Sequence, residues 1–126
     1  ALVRPDRVVA VDALSARETA RLCKAVQVSD AGIVPGSGVG NARSALTQET
    51  LGVPVVAVGV PTVVDARTLC ADLTGSDASL PEGAEFFVTP RDIDSRVRDS
   101  ARLVGYAVDL ALHDALTIED IDMFLS

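Results

Sequence analysis

Three aspartates fall where a folded core could expose a carboxylate. Asp12 follows the apolar run RVVAV, Asp30 follows AVQVS, and Asp65 closes PVVAVGVPTVV. A carboxyl at the end of a buried strand is partly desolvated. A second one nearby pushes the two pKa values apart, which gives a general base and a general acid at one pH. Asp12 is the strongest catalytic candidate, with Asp30 and Asp65 as candidate secondary carboxylates. Each also has a structural reading. Asp12 can hydrogen-bond the turn DALS as an Asx cap, Asp30 can be a turn residue, and Asp65 can cap a helix.

Between these aspartates lies GIVPGSGVGN, Gly32 to Asn41, with four glycines and a proline in ten residues. Three readings stay open for it. Converging backbone N–H groups could cradle a phosphate, although GSGVGN is neither G-x-G-x-x-G nor a P-loop with G-K-[ST]. Glycines could serve a plain turn wherever φ must be positive. The loop could also line a substrate cleft, with Pro35, Gly36, Ser37, Gly38, Gly40 and Asn41 forming the wall. The first would make the chain a nucleotide-binding module.

Other reactive residues are isolated. His113 stands beside Asp114 near a helix end, where a cation is favoured for structural reasons. Ser15 and Ser37 have no histidine in an obvious relation. Cys23 and Cys70 show no C-x-x-C or metal spacing, and read as buried reduced thiols of a cytosolic protein. No metal and no cofactor is expected.

The elements that must position these groups follow from the apolar pattern. RVVAV (7–11) reads as a strand buried on both faces, followed by a short helix over 13–24. Residues 25–28 alternate as a second strand, and 41–51 is short helical or irregular, closed by Gly52. PVVAV (54–58) is a third strand, turning at 59–61. A helix then opens at Thr62 with Asp65 three residues on, and runs to about Leu73. GSDASLPEG (75–83) reads as a loop and EFFV (85–88) as a short extended piece. Thr89-Pro90 opens the longest helix, whose apolar stripe Ile93, Val97, Ala101, Val104, Val108, Leu112 suits a sheet face. Thr117 with Asp120 starts a last helix, 118–125. This order predicts an α/β fold, a mostly parallel open sheet with flanking helices. Ligands bind such sheets outside the carboxyl ends of the strands.

The whole chain is consistent with that class. Its 126 residues suit one domain, 1–126, and 48% are hydrophobic with mean hydropathy +0.33, enough for a packed core. A net charge of −7 disfavours nucleic acid and anionic membranes as direct partners. No apolar run nears the ~18 residues of a membrane span, and no signal peptide precedes the first strand. The chain reads as soluble and intracellular. It starts without Met a few residues before a strand, as if cut into a larger fold.

VVAVDALSAR, then VQVSDAGIVPGSGVGNARSALTQETLGVPVVAVGVPTVVDA, then FFVTPRDIDSRVRDSARLVGYAVDLALH resemble the germination protease (spore protease) family in sequence and order. The resemblance runs from about Pro5 to His113. It implies an endopeptidase of the spore core that starts degradation of small acid-soluble DNA-binding spore proteins at germination. It further implies a self-processing zymogen, a homo-oligomer (a tetramer), and a fold like that of the hydrogenase maturation endopeptidases. It also implies an atypical aspartic mechanism with two essential aspartates. The family element DAL-x-[AS]-R places one of them on Asp12. The other belongs to an upstream TPDALGP-like element that this sequence does not contain, and the family's insert before the long helix is reduced to the loop around 75–83. The alternative is a catalytically inactive fragment that serves as an oligomerising or binding scaffold.

Overall fold

The computed structural model describes residues 3–40, 43–76 and 85–125. The chain forms two compact units, Ala1–Arg91 and Asp92–Ser126.

The first unit is organised on one long strand. Among the described residues β1 (Val8–Ala16), β2 (Gln27–Ser29), β3 (Val55–Asp65) and β4 (Phe87–Val88) form one open sheet of order β1-β3-β2, with β4 also on β3. β3 is Val-rich and buries residues on both faces, including Val55, Ala57, Val58, Val60 and Val64, as a strand flanked on both edges should. β1 runs parallel to it, while β2 and β4 run antiparallel. The sheet is therefore mixed rather than mostly parallel. A parallel return needs a long crossover, usually a helix. The helix between β2 and β3, α1 (Gln48–Leu51), has one turn, and the Ile33–Leu46 bridge folds the glycine loop back on itself.

Two strands outrun their expected ends. β1 continues through Asp12 to Ala16, so the helix expected over 13–24 is replaced by strand and by a single 3-10 turn at Thr19–Arg21. β3 continues through Gly59-Val60-Pro61 to Asp65 instead of turning there. Each extension pairs with the other, and cross-strand pairing with burial overrides local turn signals. Pro61 lacks an N–H and is tolerated because the register shifts beside it. Leu14 pairs with Pro61 and Ser15 with Val63, which leaves Thr62 as a bulge.

Asp65 is the N-cap of α2 (Ala66–Thr74), its Oδ1 accepting from Arg67 N at 2.8 Å. The helix thus starts one residue after Asp65, not at Thr62, whose carbonyl accepts instead from the Thr89 hydroxyl at 2.8 Å.

The second unit pairs α3 (Ile93–Leu112) with α4 (Ile118–Leu125). The N-cap position of α3 is Asp92 rather than Thr89, and the Asp92 side chain makes no capping hydrogen bond. Arg102 Nη2 donates to Asp122 and to the Tyr106 hydroxyl, which itself donates to Asp122, so three side chains staple the two helices. The expected Thr117–Asp120 capping box is present: Asp120 accepts from Thr117 N (2.9 Å) and Oγ1 (2.8 Å), and Thr117 Oγ1 accepts from Asp120 N at 3.2 Å. The Thr117 backbone N–H and then its hydroxyl hold the Asp120 carboxyl below the usual carboxylate range.

Candidate functional site

Asp12 lies in mid-strand, not at a strand end. It is half-buried and shares the even-numbered face of β1 with Ala10, Leu14 and Ala16. Its Oδ1 accepts from Ala13 N at 2.9 Å, a local bond that fixes one carboxylate oxygen. Across the sheet, Asp12 is level with Gly59 of β3, and Gly59 is level with Gln27 of β2. Register therefore sets Asp12, Gly59 and Gln27 in one row on one face. Gly59 has no side chain for a steric reason. A Cβ there would lie 2.3 Å from Leu14 Cδ1.

The glycine loop closes over the end of this row. Gly36 (φ 76°) and Gly40 (φ 71°) take left-handed conformations on either side of a 3-10 turn, Ser37–Val39, a geometry that glycine adopts without strain. Ile33 and Leu46 exchange backbone hydrogen bonds of 3.0 and 2.8 Å, and Arg43 N donates to Pro35 O at 2.9 Å, so the loop's base is tied down. Its tip presses on β1. A Cβ on Gly38 would stand 3.0 Å from Ser15 Cβ.

Strand and loop enclose a cleft of about 220 Å³. Asp12, Ala13, Leu14, Ser15 and Arg17 line one side, Gln27 the floor's far end, and Val34, Gly36, Ser37 and Gly38 the loop side. The structure thus brings Asp12 together with Gly36, Ser37 and Gly38. Pro35 and Gly40 are not among the lining residues, and Asn41 lies outside the described residues. Asp30 is exposed in the turn after β2. Asp65 caps α2, six residues along β3 from the level of Asp12, roughly 20 Å at the strand rise. Neither lines the cleft.

Chemically, the cleft offers one carboxylate, one guanidinium and three neutral polar side chains, Ser15, Gln27 and Ser37. A carboxylate on a half-buried apolar face can hold and polarise a water. Among the described residues no group of His, Cys, Asp and Glu could hold a metal ion, and no helix is long and apolar enough to cross a membrane. Arg17 and Gln27 escaped sequence reasoning. The signal for Gln27 was its place as the single polar residue between Val26 and Val28, on the face opposite theirs.

The family model for germination protease matches residues 2–77, which span β1, the glycine loop, β3 and α2. A germination protease of Clostridium perfringens (strain SM101) is 34% identical over 158 aligned positions, covering 98% of this chain and 48% of that protein. One from Caldanaerobacter subterraneus is 35% identical over 155 positions, with the same coverage. One from Bacillus cytotoxicus is 59% identical over 69 residues, covering 55% of this chain and 19% of that protein. The chain spans about half the length of the curated relatives it matches at full coverage.

Proposed function

The chain belongs to the germination protease family, and from that premise we propose that it forms the part of a spore-germination endopeptidase that carries one catalytic carboxylate, Asp12, and the wall of the substrate cleft. The observation that carries this reading is the cleft itself. Asp12, in the DALSAR stretch that resembles a family element, lies beside the glycine loop, and the two fold together around a space of about 220 Å³.

Peptide hydrolysis needs two proton transfers. Asp12 as a carboxylate takes a proton from a water held in the cleft, and the resulting hydroxide attacks the scissile carbonyl. A second carboxyl, protonated, gives its proton to the departing amine. Asp12 is the cleft's only carboxylate among the described lining residues, and Asp30 and Asp65 are poorly placed to share its proton. The second group is best supplied by sequence that the relatives carry beyond the half matched here. The mechanism is then of atypical aspartic type, on a fold resembling the hydrogenase maturation endopeptidases. The substrates are small acid-soluble DNA-binding spore proteins in the spore core, and the enzyme works as a homo-oligomer.

The test is Asp12→Asn in the chain extended to the length of its relatives. Cleavage of a small acid-soluble spore protein should fall at least a hundredfold, the usual size of a general-base contribution, with an unchanged melting temperature. Retained cleavage would end the aspartyl reading. The single carboxylate also favours a second reading for these 126 residues alone, a binding scaffold that does not cut. Mass spectrometry of the substrate after incubation with this chain separates the two.

A further inference from the structure

We propose that Gln27 holds the main chain of the bound substrate, its carboxamide pairing with one peptide group of an extended segment laid across Asp12. This deepens the reading of the cleft as a peptide site and rests on it.

Asp12, Gly59 and Gln27 form one row across the sheet. Two strand spacings separate its ends, so the Asp12 and Gln27 backbones stand about 10 Å apart. No side chain of the row itself rises between them. The middle residue is glycine, and the isobutyl of Leu14 fills the space its Cβ would take. The result is a low apolar floor with a carboxylate at one margin and a carboxamide at the other. A single extended chain fits a trough of that width, with one margin free to reach its carbonyl and the other its peptide edge.

Gln27 suits the second task by its chemistry. A carboxamide offers two donors and an acceptor, which is the complement of a peptide group and is indifferent to the side chains on it. Gln27 is exposed and lines the cleft, and its carboxamide has no hydrogen bond to a protein group among the described residues. It sits on a strand, so the sheet register rather than a loop sets its position. Arg17 lacks an acceptor and cannot pair with a peptide group in this way. Ser37 stands on the loop, away from the row.

The experiment uses the 126-residue chain carrying Asp12→Asn, so that a bound peptide is not consumed. Fluorescein-labelled overlapping peptides of a small acid-soluble spore protein are titrated by anisotropy, and the tightest is remade with each backbone amide N-methylated in turn. Gln27→Ala should weaken the unmodified peptide roughly tenfold, the loss expected for one unpaired hydrogen bond. One N-methyl position should weaken binding to the Gln27 protein by a similar factor and should produce no further loss on Gln27→Ala. A merely structural role would lower affinity for every peptide alike, with the N-methyl losses unchanged. That result, equal affinity of the two proteins, or no peptide binding at all would overturn the inference. Cleavage by the extended protein and its Asp12→Asn variant is scored separately. Failure of the aspartyl mechanism with intact Gln27 coupling, or the reverse, is therefore readable.

Discussion

Leu14 and Gly59 decide whether the cleft has a floor. The isobutyl carbons of Leu14 occupy the volume that any larger residue at position 59 would need, with contacts of 2.3 and 2.6 Å to a Cβ built there. Gly59→Ala should destabilise the chain by about 1–3 kcal/mol, the range for overpacking, and push Leu14 into the trough. Urea titration measures the first effect. Adding Leu14→Ala should recover part of it, because the second change empties the contested volume. Residue-scale chemistry was only partly legible in the sequence. Asp12 stood out because a charged residue follows the apolar run RVVAV, although Val9 and Val11 of that run are exposed. Gln27 did not, because its importance depends on lying level with Asp12 through a glycine on a third segment, and register across strands leaves no mark on any one of them.

At the scale of elements, the caps separate structural aspartates from the one in the cleft. Asp65→Ala removes the N-cap of α2 and should cost about 1 kcal/mol. Peptide affinity should be unchanged, since Asp65 lies several residues along β3 from the cleft. A loss of binding equal to that of an Asp12 variant would reassign Asp65 to the site. Asp120 makes a second case. Its carboxyl is held below the usual range by Thr117, so the folded state binds its proton less readily than the unfolded one. The stabilisation is complete above the unfolded carboxylate value, near pH 4, and is lost as pH falls through the lower folded value. Urea midpoints followed between about pH 6 and pH 2 should decline in this acid range, and Asp120→Asn should decline less. The Thr117 box and α4 were legible because capping is local chemistry. The full lengths of β1 and β3 were not. ALSA and GVP carry turn-like or helical signals in isolation, and only pairing with each other makes them strand.

At the scale of the whole molecule, β3 is the spine of the first unit. Every other described strand pairs with it, and Val64 is 1% exposed. Losing its packing should open the sheet and dissolve the cleft together. The charge balance, −7 over 126 residues, disfavours direct contact between this part of the surface and nucleic acid. The decisive question at this scale is how many carboxylates face the scissile bond. One group cannot be base and acid in the same step unless it shares its proton with a partner. The described cleft holds one, and the relatives are about twice this chain's length. The 126-residue chain should therefore bind spore-protein peptides without cutting them, while the chain extended to its relatives' length should cut the same peptides. Peptide cleavage by the short chain at a comparable rate would place the second proton donor within these residues and send the search back to Asp30.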